Sequence, residues 1–375
     1  MNRSRTGNSS PLVLLSRLSF LLLLLSLFAC VDSGGDSSDQ RVEVVNEAAA
    51  LQAAIDESVD SAIVPAVQDF LRDAQELRDS AEAFCNISNE GNLLAVQERW
   101  KTLFQQWYRL SLYNFGPLND DIIFPTFTFI DSLRLRGTNY LATVRAETEN
   151  DISIDDPLTD EYYARKTFNR VGLLAVESVA FETSTPEHSN DPVDILAEFD
   201  AQPRKCQVLL GLTGQLESRA VQVESGWLTE FKDSGLPYRT LFLDGQLEDG
   251  TDPINQLLIA SQEFLDYLQA RNVVTTAAQV SMFSWEAITA TVDEVEFLLR
   301  GASPASNSIF DAMVATGNQN AVAAVEDSIV QVRQAIADRD PAMLEITLGF
   351  LDGNFKREIP DSLEVELGIN FSDGD

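Results

Sequence analysis

Residues 96–110 read Val96-Gln97-Glu98-Arg99-Trp100-Lys101-Thr102-Leu103-Phe104-Gln105-Gln106-Trp107-Tyr108-Arg109-Leu110. Val96, Trp100, Leu103, Trp107 and Leu110 fall at steps of 4, 3, 4 and 3 residues, which on a 3.6-residue turn places all five on one face. A strand would send alternate residues to opposite faces, so the stretch is an amphipathic helix of the kind that packs in a bundle. Its two tryptophans could line a ligand box, but at helical spacing they read as core.

The same period extends in both directions. Upstream, Val67, Phe70, Leu71, Ala74, Leu77, Ala81 and Phe84 mark a second helix, and between Arg41 and Cys85 there is no glycine and only Pro65. Downstream, Pro117 and Pro125 bracket a break around Asn119-Asp120-Asp121, and the pattern predicts helices over 127–147 and 162–182. Leu209, Leu212, Leu216 and Ala220 lead to Trp227, and a loop with Gly235, Pro237, Gly245 and Gly250 follows. Further helices are expected at 253–270, 281–300, 306–316 and 319–337, with a shorter one after Pro341. Strand-like alternation is confined to weak signals at 238–243 and in the tail. The fold class is therefore all-α, read as two helical-bundle domains, 41–190 and 191–375. The boundary is placed where Thr185-Pro186-Glu187-His188-Ser189-Asn190-Asp191-Pro192 interrupts the periodicity.

The N-terminus speaks to compartment. Arg3, Arg5 and Arg17 precede an apolar run from Leu18 to Ala29, too short to span a bilayer and shaped as a secretory signal. Leu27-Phe28-Ala29-Cys30 resembles the bacterial lipobox, Phe28 being its departure; the other reading is an ordinary signal peptide with a chance cysteine. The resemblance implies cleavage after residue 29 and acylation of Cys30 with a lipid such as palmitate. A flexible tether over 30–40 would follow. Val31, where an aspartate would be expected of a retained inner-membrane lipoprotein, points by analogy to the outer membrane facing the periplasm. In an oxidising envelope Cys85 and Cys206 read as one disulfide, the alternative being two buried thiols. Such a bond would tie the first bundle to the opening helix of the second.

Composition excludes several functions. Asp plus Glu number 59 against 26 Lys plus Arg, a formal charge of −33 over 375 residues. Loss of the signal removes three arginines and no acid, taking the charge to −36, so a nucleic-acid partner is excluded for want of a basic footprint. One histidine cannot furnish a multi-histidine zinc site or an H-E-x-x-H helix. There is no Gly-rich phosphate loop and no G-x-S-x-G elbow. Hydrophobic residues make up 45%, enough for a sizeable core.

Four stretches carry a family resemblance. They are Pro65 through Pro117, with Cys85 in a turn, Trp100 and Trp107 on one helix and Phe115-Gly116-Pro117 at its end; Arg170-Val171-Gly172-Leu173-Leu174-Ala175-Val176-Glu177; Arg204-Lys205-Cys206, opening a helix that ends at Trp227; and the terminus Leu367-Gly368-Ile369-Asn370-Phe371-Ser372-Asp373-Gly374-Asp375. In this order and spacing they resemble the imelysin-like family of bacterial envelope proteins. The resemblance implies an all-α fold of two four-helix-bundle-like domains, a site near their interface and an ordered tail; a solvated acidic tail is the other reading.

The family is grouped with metallopeptidases through a G-x-H-x-x-E motif. Here Leu174 stands in the histidine position. Residues three apart share a helix face, so a His and a Glu in that register could hold one metal ion, but leucine has no lone pair to give. Glu177 alone is a poor transition-metal site, and His188 lies eleven residues on in a loop. No catalytic residue is assigned, and metal-dependent peptidase activity is not expected. Glu177 sits among apolar neighbours and needs a partner. Arg170, at i−7, or a residue from the other bundle can supply it, either as a packing ion pair or as part of a ligand-binding site. The expected function is an envelope-anchored, non-catalytic lipoprotein that binds a ligand or metal between the bundles, in the iron-uptake setting the family suggests. Carboxylates favour hard cations, so an acidic cleft suits Fe(III) or Ca²⁺ better than Zn²⁺. The competing readings are a divergent metallopeptidase rebuilt from Glu177, His188 and carboxylates, and a module that docks envelope proteins at the membrane surface.

Overall fold

Helices account for the regular structure of the described residues. In a computed structural model, residues 37–132, 139–184, 187–247, 250–304 and 306–367 are described; the expected signal segment, Cys30 and the acidic tail from residue 368 lie outside them. The helices are α1 (Ser37–Glu57), α2 (Val64–Asn86), α3 (Glu90–Leu110), α4 (Thr126–Ile130), α5 (Leu141–Ser153), α6 (Asp160–Ala164), α7 (Leu173–Phe181), α8 (Pro192–Ala201) and α9 (Pro203–Leu228). After them come α10 (Tyr238–Leu243), α11 (Pro253–Ala270), α12 (Val273–Thr276), α13 (Ser284–Arg300), α14 (Ile309–Ala315), α15 (Gln319–Ala337), α16 (Pro341–Gly353) and α17 (Ile359–Ser362). No strand occurs among the described residues, in keeping with the all-α expectation.

Local chemistry sets the ends. Proline lies in the first turn of α2, α8, α9, α11 and α16, where its missing N–H costs nothing and its fixed φ suits the helix. Asn89 caps α3 by accepting from Asn92 N at 2.9 Å. Ser308 and Asp311 form a reciprocal capping box on α14. Residues 58–63 form a wide π turn that joins α1 to α2.

From Glu43 onward the chain forms one compact unit. Within it, α2, α3 and α9 pack side by side with α4–α8 around them, and α11, α13, α15 and α16 form a second group. The groups meet where α13 lies on α3 and where α11 packs on the turn after α3. All five residues of the α3 stripe are fully buried. Trp100 Nε1 donates to Leu173 O at 2.9 Å and Trp107 Nε1 to Asp131 Oδ2 at 3.0 Å, so both indoles are satisfied core.

Several sequence expectations are corrected. The break at 185–192 does not divide the two groups, because α9, which follows it, packs on α2, which precedes it. Cys85 and Cys206 do form a disulfide, with Cα atoms 5.6 Å apart, inside the usual range. The bond joins two helices of the same group rather than the two bundles. The helix expected at 162–182 is split into α6 and α7. Gly172 starts α7 at φ +86°, and a Cβ there would sit 2.5 Å from Ile130 O, so only glycine fits and the chain must turn. The helix expected at 127–147 is likewise two pieces, α4 and α5. The strand signal at 238–243 is α10, started by Pro237 in extended backbone.

Candidate functional site

Glu177 lies on α7, 1% exposed, because the helix buries nearly its whole circumference. Its Oε1 accepts from Val280 N (3.1 Å), Ser281 N (2.8 Å) and Ser281 Oγ (2.7 Å). These donors come from the strap between α12 and α13. The strap holds two non-glycine residues with left-handed backbone, Ala278 at φ +47° and Met282 at φ +60°, a conformation that persists only when its surroundings enforce it. Asn190 Nδ2 adds a clamp, donating to Phe181 O at 3.1 Å and Val280 O at 3.2 Å. Burial pushes the Glu177 carboxyl up to about 7 against the opposing pull of its three hydrogen bonds, with Glu182 nearby adding to the rise.

Glu182 belongs to a second buried layer. Arg145 grips it with both arms, Nε to Oε1 at 2.8 Å and an Nη to Oε2 at 2.6 Å, the bidentate geometry that carboxylates favour. Ser178 Oγ donates to the same carboxylate at 2.9 Å. Lys205, 0% exposed, donates to Glu182 O at 3.0 Å and pairs with Glu198. Burial pulls the Lys205 ammonium down and Glu198 partly restores it. Glu198 also accepts from Ser184 N at 3.0 Å. Every charge in this layer has an opposite partner, as buried charges require.

The sequence-predicted residues are not all brought together. Arg170 is half-exposed and pairs with Glu147 at 2.8 Å, so it is not the partner of Glu177; the partner comes from the distant strap, the second of the two sources expected. Leu174 is half-buried on the first turn of α7. His188 sits at φ +46° and its Nδ1 meets Thr183 O at 3.1 Å, so that nitrogen carries the hydrogen. Among the described residues no group of three His, Cys, Asp or Glu side chains could hold a metal ion. Sequence reasoning missed Ser281, Glu182, Arg145 and Glu198. Lys205 lay within a quoted motif beside Cys206, a signal that was there to use; Ser281, more than a hundred positions from Glu177, had none.

A groove of about 380 Å³ opens between the two groups. Asn114, Pro125 and Phe127 wall it on one side, and Gln262, Glu263 and Asp266 of α11 on the other. Asn114 Oδ1 is buried there without a hydrogen-bond partner. A larger surface groove, about 770 Å³, lies within the first group between α2, α6 and α9. Its Arg78 is paired with Glu82 at 3.1 Å.

A two-group, all-helical protein with a sealed glutamate under a backbone strap is thereby defined. The Imelysin (peptidase M75) family model matches residues 63–352, and the chain belongs to that family. Among solved structures it is similar to an imelysin-like protein from Psychrobacter arcticum 273-4, at TM-score 0.61 and 16% identity over 87% of this chain and 98% of the other. It is also similar to a candidate iron-regulated protein A precursor from Parabacteroides distasonis, at TM-score 0.52 and 13% identity over 84% and 95% of the two chains. No curated protein matches the chain.

Proposed function

We propose that this chain is a non-catalytic member of the imelysin family, lipid-anchored at Cys30 in the bacterial envelope, that binds a ligand in the groove between its two helical groups. The state of the family motif carries the reading. The G-x-H-x-x-E motif implies a metal held by a histidine and a glutamate three positions apart, and the residues present do not fit one. Leu174 offers no donor atom, and Glu177 Oε1 is already engaged by Val280 and Ser281. The groove supplies a concave surface in the size range of small-ligand sites, with Asn114 Oδ1 unpaired and Glu263 and Asp266 on the facing wall. Polar ligands suit that lining. The relative whose name ties it to iron supports placing the ligand in iron handling.

The test is metal analysis of the purified protein after exposure to Fe(III), Zn²⁺ or Ca²⁺ and removal of excess ion. Zinc retained in 1:1 amount, and lost in Glu177→Ala or His188→Ala, would overturn the non-catalytic reading. Radiolabelled palmitate incorporated by the wild type and not by Cys30→Ala supports the anchor; label in both, or in neither, argues against it.

A further inference from the structure

The groove of about 770 Å³ in the first group has α9 as its floor, with α2 on one rim and α6 on the other. Five of its lining residues are acids: Asp79 and Glu82 from α2, Asp160 and Glu161 from α6, and Glu217 from α9. Two of them are neutralised locally, Glu82 by Arg78 at 3.1 Å and Glu161 by Arg165. Asp79, Asp160 and Glu217 make no hydrogen bond or ion pair among the described residues. Asp79 and Asp160 are exposed and Glu217 is half-buried, so all three are open to a ligand.

The two cations of the lining are committed elsewhere. Arg78 bonds Glu82 through Nε, and its guanidinium lies over Gly214, where a Cβ would collide with Nη1. Arg219 sits on the Phe129 ring, 4.3 Å from its centre, and donates to Gln222 at 2.9 Å. Three negative charges therefore stand around one groove without a counter-charge, an arrangement whose field draws in a cation.

Gln215 is an independent sign of a guest. It lies on the groove floor, 6% exposed, and neither its Oε1 nor its Nε2 has a hydrogen-bond partner. A buried amide left unpaired is costly, and a ligand reaching the floor relieves that cost. The placing of the acids decides the kind of cation. Among the described residues no three of them converge on a point where a metal ion could sit. Carboxylates on three separate helices instead match positive charges spaced along a chain. Ala164 and Val221, the latter 44% exposed, offer apolar contact for the methylenes between those charges.

We infer that this groove binds a linear triamine. Its ammonium groups face Asp79, Asp160 and Glu217, its methylenes lie on Ala164 and Val221, and one N–H donates to Gln215 Oε1. The site is separate from Glu177 and from the groove on α11, and it stands whether or not a ligand binds there.

Calorimetric titration of the purified protein with spermidine tests the inference, at about 0.15 M salt, where charges more than about 8 Å apart are screened. One saturable site is expected, and an equal concentration of Mg²⁺ should not displace the amine. Asp160→Asn with Glu217→Gln should weaken binding about tenfold, the size of two partly exposed ion pairs. Asp327→Asn with Glu345→Gln removes the same charge from exposed positions on α15 and α16 and should leave binding unchanged. Gln215→Leu should weaken it severalfold while holding or raising the unfolding midpoint, because an unpaired amide is lost. That variant keeps the test open if the Asp160 and Glu217 pair folds poorly. No saturable binding by the wild type, displacement by equimolar Mg²⁺, equal losses in the two charge-neutralised pairs, or undiminished binding in either folded groove variant would each overturn it.

Discussion

Glu177→Gln isolates the titration that the sealed site places near neutrality. Burial lifts this carboxyl from an ordinary 4.5 to about 7 in the folded protein. Between those values the folded state binds the proton and the unfolded state does not. The stabilising effect of this group is therefore full below pH 4.5 and is lost as pH rises through 7. A difference of that size is worth ~3 kcal/mol at its limit. Glutamine keeps the shape and one carbonyl oxygen for the Val280 and Ser281 donors, and it does not titrate. The many other carboxylates titrate alike in both proteins, so the informative quantity is the difference between them. Urea unfolding with the disulfide intact, at pH 5, 6, 7 and 8, should show the two proteins closest at pH 5, within about 1 kcal/mol. By pH 8 the variant should be the more stable by up to that amount. A difference that stays constant with pH, or that grows in favour of the wild type, would refute the reasoning: the three hydrogen bonds to Oε1 would then outweigh burial and hold the carboxyl ionised.

Other expectations follow from the same geometry. Unfolding the unreduced protein in the presence of an alkylating reagent should label neither Cys85 nor Cys206. Cys85→Ser with Cys206→Ser should cost up to about 4–5 kcal/mol, the chain-entropy value for a loop of this length, read by denaturant titration. Gly172→Ala should lower stability by about 2–4 kcal/mol, since a left-handed φ and a backbone clash with Ile130 O act together; an unchanged midpoint would show that α7 can shift its start. Lys205→Met should cost about 3–5 kcal/mol by leaving Glu198 buried and unpaired. Adding Glu198→Gln should recover part of that loss in the double variant, and no recovery would mean the pair is not the unit that matters.

Where helix limits are written locally, they were readable. The 253–270 helix was placed to the residue, because Pro253 opens it and the chain leaves through Arg271 and the left-handed Asn272. The α3 stripe declared the core directly, since each apolar step of 3 or 4 lands on the same buried face. Tertiary contacts hid the rest. The 162–182 segment keeps helical periodicity across Gly172, and only the approach of Ile130 O explains why the chain must turn there. At the site, the motif position of Leu174 and the burial of Glu177 were both visible in the residues. The choice between Arg170 and a distant partner was not, because nothing in the spacing marks Ser281 as the donor. Arg170 instead follows its near neighbour Glu147. Tyr238–Leu243 alternates like a strand and folds as a helix because its aromatic residues are wanted on one side, against Trp227.

The disulfide between the ends of α2 and α9 has a topological consequence. It makes residues 85–206 a covalent ring, and α3, α7 and Glu177 are all inside it. A protease that cuts any exposed loop in that ring opens it but releases nothing, since both pieces stay joined through sulfur. A cut in the 229–252 region, outside the ring, has no such tether and would leave the second helical group attached by packing alone. Exposed to a protease, the half of the molecule that bears the sealed glutamate is the half that survives nicking in one piece.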